Sequence, residues 1–169
     1  MKYFEKCKTL NELKAEYRRL AMENHPDRGG DTETMQKINA AYADAFEILK
    51  AAHNRRAAED TSGKVYATKE QAHDFIDIIA KLIKLDGIKI ELCGRWLWIS
   101  GETMKHKDAL KSAGCKWASQ KKMWSWHFAE DSVWKKGKTM SMQYIRSKYG
   151  SSIIAAEEQE ERKAIKARA

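Results

Sequence analysis

A single proline constrains the first third of this chain more than any other residue. Pro26 is the only proline among 169 residues. It lacks a backbone donor and disfavours helix at the residue before it, so a helix arriving from the N-terminal side must stop near Asn24 or His25. The arriving run is Leu10 to Asn24, where Leu10, Leu13, Tyr17, Leu20 and Ala21 recur at helical spacing. Thr9-Leu10-Asn11-Glu12 has capping-box form at its start. After Pro26 come Asp27, the turn Arg28-Gly29-Gly30-Asp31 and a second run from Thr32 to Lys50. There Met35, Ile38, Tyr42, Ala45 and Leu49 alternate by three and four, the seam of an antiparallel helix pair. Asp31 or Thr32 can cap its start. The pattern predicts two helices side by side, with the polar His25-Pro26-Asp27 loop exposed at their joined end. Lys14 and Arg18, four apart, make a basic stripe beside the first apolar face, and Arg19 sits nearby.

The charge is distributed unevenly. Residues 1–60 hold 11 basic and 11 acidic side chains, whereas residues 61–150 hold 17 basic and 9 acidic. The whole excess of +8 therefore lies in the middle segment, and so do all six tryptophans. Two modules with different jobs are implied, joined near Asp60-Thr61-Ser62-Gly63. The expected organisation is a helical module over 1–60, a linker over 61–68, a basic Trp-rich module over 69–150 and a charged helical tail over 151–169.

The second module reads as α+β. Ala72, Phe75, Ile76, Ile79, Ile83 and Leu85 predict a helix from Lys69 to Leu85, ended by Asp86-Gly87. Ile88 to Cys93 alternates as a strand, Trp96 to Ser100 forms another, and Gly94-Arg95 between them reads as a tight hairpin. Thr103 to Ala113 is a short helix with Leu110 inward and Gly114 as its cap. Cys115 to Ala118 and Met123 to Phe128 are two further strands. The order α-β-β-α-β-β predicts a small antiparallel sheet with helices on one face. Another helix is expected from Lys138 to Tyr149, and a helical tail from Ile153 to Ala169.

Several function classes are disfavoured. No apolar run approaches the roughly 20 residues of a membrane helix, and the N-terminus lacks the apolar core of a signal peptide, so a cytoplasmic protein without membrane contact is expected. Cys7, Cys93 and Cys115 form no CxxC pair, which fits free thiols in a reducing compartment. Cys93, Cys115, His106 and His127 show no metal-ligand spacing. With no phosphate loop and no nucleophile, base and orienter set, neither a cofactor nor intrinsic catalysis is expected.

Three short stretches carry a resemblance. Glu16-Tyr17-Arg18-Arg19-Leu20-Ala21, His25-Pro26-Asp27-Arg28 and Ile38-Asn39-Ala40-Ala41-Tyr42 resemble the J domain of the DnaJ (Hsp40) co-chaperones. The resemblance covers about residues 1–55. It implies a helix pair that presents its loop to an Hsp70 of the DnaK type, where docking promotes ATP hydrolysis and client capture. His25, Pro26 and Asp27, with Arg28, match the family's essential loop, and Lys14, Arg18 and Arg19 match its basic docking face. The chain departs from the family in its first helix, cut to a stub around Tyr3-Phe4, and in His53-Asn54-Arg55-Arg56-Ala57-Ala58, which stands where the usual last helix would be. It has no Gly/Phe-rich linker and no CxxCxGxG repeats. The patterns Trp96-x-Trp98-x-Ser100-Gly101-x-Thr103, Leu110-Lys111-x-x-Gly114-x-Lys116-Trp117 and Lys122-x-Trp124-x-Trp126 resemble tails of small bacterial and phage J proteins, a resemblance that fixes no activity.

The tryptophans leave two readings open. Alternate strand positions share a face, so Trp96 pairs with Trp98 and Trp124 with Trp126. Facing outward beside Arg95, Lys116, Lys121 and Lys122, they would be stacking platforms for single-stranded nucleic acid or a client protein. Facing inward, they fill the core of a small sheet. The resulting expectation is a co-chaperone that stimulates an Hsp70 at a target chosen by its second module. The alternative is a nucleic-acid-binding accessory protein of a bacterium or mobile element, which uses the hairpin only for recruitment.

Overall fold

The computed structural model describes residues 3–62, 67–128 and 140–154. It divides into two compact units, 1–84 and 85–169. In the first, α1 spans Leu10–Asn24. Thr9 caps it by accepting from the Glu12 amide at 3.2 Å, while Glu12 reaches back to the Lys8 amide at 2.7 Å. Asp31 caps α2, Thr32–Glu59, through the Thr34 amide at 2.7 Å. Of the expected seam, Met35, Ile38, Tyr42 and Ala45 are buried with Phe46, and Leu49 is half-buried. Tyr17 and Tyr42 pack at 4.3 Å between ring centroids, and the Tyr17 hydroxyl donates to Asn39 Oδ1 at 2.9 Å.

Two features of this unit differ from the pattern reading. First, α2 runs from Thr32 to Glu59 rather than stopping at Lys50. Residues 51–59 contain neither glycine nor proline, and alanine, arginine and glutamate favour helix, so nothing local ends it. Second, α3, Ala72–Ile83, belongs to this unit and not to the Trp-rich module. The division falls after Lys84 instead of in 61–68, because Phe75 stacks on Tyr42 at 6.0 Å and meets Tyr17 at 6.1 Å. Phe75, Ile78, Ile79, Leu82 and Ile83 are all buried. At about 1.5–3 kcal/mol for each such side chain, α3 contributes on the order of 10 kcal/mol of burial, an upper estimate for an extended unfolded reference.

The second unit is a five-stranded antiparallel sheet in the order β3-β4-β2-β1-β5. Its strands are β1 Ile88–Cys93, β2 Trp96–Gly101, β3 Lys116–Ala118, β4 Met123–Trp126 and β5 Ser152–Ile154. The expected hairpin closes through the Cys93–Trp96 pair, with Gly94 at φ 58, a value glycine adopts without strain. The short helices α4, Lys107–Ser112, and α5, Met142–Tyr149, complete the unit among the described residues. Ile145 of α5 is buried with Cys93 and Trp98. A strand stands where the helical tail was expected to begin, because Ile153 pairs with Glu91. Trp134, residues 138 and 139, and the tail from 155 lie outside the described residues.

The carboxylate of Glu91 is buried in the middle of β1. Arg146 donates to it from both Nε and a terminal nitrogen, at 2.6 and 2.8 Å, and Ser151 adds a hydroxyl at 2.7 Å. The Arg146 hydrogen bonds hold this carboxyl below the usual range, against the opposing effect of burial. One side chain thereby ties α5 and the approach to β5 onto the central strands.

Candidate functional site at the His25-Pro26-Asp27 loop

The loop is built by the stop that Pro26 imposes. His25 leaves the helix with φ −66 and ψ 133, yet its amide still bonds to the Ala21 carbonyl at 2.9 Å. Pro26–Arg28 then form one 3-10 turn, with proline at its favoured first position. The His25 carbonyl accepts from the amides of Arg28 and Gly30 at 2.9 and 3.0 Å. Gly30 must be glycine, since a Cβ there would lie 2.1 Å from the Asn24 backbone.

The two ionisable side chains of the tripeptide have different surroundings. His25 is buried, and its Nδ1 accepts from the Asp27 amide at 3.2 Å, which places the neutral ring's proton on Nε2. Burial pushes its pKa below the ordinary imidazole value; Asp27 opposes this, and Lys84 and Arg28 add to it. Asp27 is exposed, with Oδ2 3.2 Å from Lys84 Nζ and 3.9 Å from His25 Nδ1. Pro26 is exposed. Arg28 turns away from the loop and donates from Nε to the carbonyl of Ile83 at 3.0 Å. A cation there complements the negative end of α3.

The basic stripe is not open to solvent. Lys14 is 1% exposed and Arg18 is 0% exposed. Lys14 makes a buried ion pair with Glu70, two residues before α3 begins. The stripe of Lys14 and Arg18 is thus not an open docking face: both cations are buried, and Lys14 is paired with a residue from farther along the chain. Arg19, by contrast, faces solvent, where its pairs with Glu16 and Glu23 at 2.6 and 2.8 Å hold its pKa up, Glu16 most strongly. Glu70, Phe75 and Lys84 were missed as neighbours of this site. A periodic apolar pattern identifies α3 as amphipathic but does not say which surface receives it.

The basic and aromatic residues of the second unit do not form one platform. Strand pairing sets Trp98 opposite Glu91 and Ser125, on one face, and Trp124 opposite Ile99 and Trp117, on the other. Trp98 and Trp124 are buried, while Trp96 and Trp126 are half-buried. Trp96 stacks on Trp98 at 5.8 Å and meets His127 at 4.2 Å. Lys121 lies over the Trp98 ring at 5.3 Å. Arg95 sits in the β1–β2 turn, Lys116 is exposed on β3, and Lys122 is exposed with φ 51. The inward reading holds for Trp98 and Trp124, and Trp117, which the pattern did not select, is the most exposed tryptophan of those described, at 48%. Burial raises the Cys115 thiol to about 11, which leaves it inert at neutral pH. Among the described residues, no group of His, Cys, Asp or Glu is arranged to hold a metal ion, and no helix is long and apolar enough to cross a membrane.

Comparison with known proteins agrees with the hairpin geometry. The family model for the DnaJ domain matches residues 4–59. Residues 4–59 form a DnaJ domain. A stretch of 46 residues is 44% identical to the chaperone protein dnaJ A6 of Oryza sativa subsp. japonica, covering 24% of this chain and 11% of that one. DnaJ protein homolog 2 of Allium porrum is 46% identical over 46 residues, with the same coverage. The chain therefore spans about a tenth of the length of these relatives. No solved structure matches. The DnaJ domain match ends at Glu59, the last residue of α2, so α3 and its flanking Glu70 and Lys84 come from outside it.

Proposed function

We propose that this protein is a co-chaperone of a cytoplasmic, DnaK-type Hsp70. It docks through the His25-Pro26-Asp27 loop and stimulates the partner's ATPase, so the chemistry belongs to the partner's active site. The observation that carries this reading is the loop itself, set at the joined end of a DnaJ-domain hairpin with Pro26 and Asp27 exposed. Proline fixes the loop's shape before binding, which lowers the ordering cost. Asp27 is available for a charge-assisted bond to a cationic partner group once Lys84 yields. The second unit then selects the target, a role favoured by its separate core and by the concentration of positive charge there.

The test is single-turnover ATP hydrolysis by a bacterial DnaK-type Hsp70. The full chain and its Glu70→Gln variant are assayed, each with and without His25→Gln. Stimulation that His25→Gln abolishes supports docking. Stimulation by neither the chain nor its Glu70→Gln variant counts against it.

A further inference from the structure

We infer that α3 is a built-in competitor for the Hsp70-docking face and holds the DnaJ domain in a closed state until a partner displaces it. This rests on the docking role proposed above and adds its regulation. Residues that match the family's docking set are tied to α3 or its flanking residues at both of its ends. Before its first turn, Glu70 takes the Lys14 ammonium in a buried ion pair. At its last turn, the Ile83 carbonyl takes Arg28, and Lys84 just beyond takes Asp27 at 3.2 Å. Between them Phe75 covers Tyr17, and Arg18 is fully buried. A partner reaching for Lys14 and Asp27 meets α3 and its flanking residues already in place.

The chemistry of the contact favours a competitor over a plain core helix. A helix selected only for stability would face apolar residues, because replacing a buried ion pair by apolar groups is often neutral or stabilising. Here positions 14 and 18 of α1 are cations. Their desolvation offsets part of what Phe75 and the isoleucines contribute, and a partner that offers acidic groups can reclaim them. The closed fraction also sets the apparent affinity, since binding is weakened by the fraction of molecules that are open.

The experiment compares the full chain, Glu70→Gln and Lys84→Ala in the same ATPase assay with the bacterial DnaK-type Hsp70. Hydrogen exchange of residues 72–83 is followed with and without that Hsp70. Glu70→Gln removes the negative charge that faces Lys14 and should lower the half-maximal concentration by about tenfold, as a tenfold larger open fraction requires. Lys84→Ala changes only an exposed pair, so it keeps the fold, and should shift the same quantity in the same direction by less. Bound Hsp70 should strip exchange protection from 72–83 in the full chain. If all three proteins stimulate alike and α3 stays protected with Hsp70 bound, the competitor role is overturned and docking stands. If none of them stimulates, docking fails and takes this inference with it.

Discussion

At the scale of single residues, His25 and Glu91 show how surroundings decide whether a buried group is held neutral or charged. The fold holds the His25 imidazole below its ordinary value of 6.5, chiefly through burial. The unfolded chain therefore binds the proton more readily, so this contribution is complete above 6.5 and is lost as pH falls through the lower folded value. Denaturant melts of wild type and His25→Gln, compared between about pH 7.5 and about pH 5, should show wild type losing ground to the variant as pH drops. A difference that ignores pH would contradict the geometry. Glu91 is the opposite case, a carboxylate kept charged by Arg146 and Ser151. Arg146→Met should cost about 1.5–3 kcal/mol in unfolding free energy, the range for a hydrogen bond to a charged group, because Glu91 stays buried without its guanidinium. A loss below about 0.5 kcal/mol, as for an ordinary surface ion pair, would show that water replaces the arginine freely.

At the scale of elements, the hairpin was legible from residues and the third helix was not. Pro26 dictates where α1 stops, Thr9 and Asp31 mark the helix starts, and the spacing of Met35, Ile38, Tyr42 and Ala45 gives the seam. The β1–β2 hairpin was equally readable, since Gly94 sits between two alternating runs. For α3, the pattern gives an apolar face without naming its partner, and linear distance suggested the neighbouring strands. Lys14 and Arg18 misled for a related reason. Lysine and arginine are rarely fully buried unless paired, and Lys14's partner Glu70 lies 56 positions away. β5 was missed because three residues, Ser152–Ile154, following a glycine and a serine carry little strand signal. The assignment of α3 has a direct consequence. Phe75→Ala removes a ring packed on Tyr17 and Tyr42 and should destabilise the 1–84 unit by about 3–5 kcal/mol, measured by urea melts of helical circular dichroism. If α3 instead belonged to the Trp-rich unit, that signal would barely move.

At the scale of the whole molecule, the chain carries two cores with separate optical labels. All six tryptophans lie beyond residue 84, whereas most of the described helix lies before it. Tryptophan emission thus follows the sheet unit, and helical circular dichroism follows chiefly α1, α2 and α3. Mutations in separate cores, without shared partners, usually add to within about 0.5 kcal/mol. Phe75→Ala should shift the helical transition and leave the tryptophan midpoint in place, and Arg146→Met should do the reverse. The double variant should show both shifts at their single-variant sizes. Movement of both signals by either single change would mean one cooperative core, and then α3 could not leave the proposed docking face without unfolding the sheet. Separate transitions would instead let α3 move while the basic unit keeps its fold.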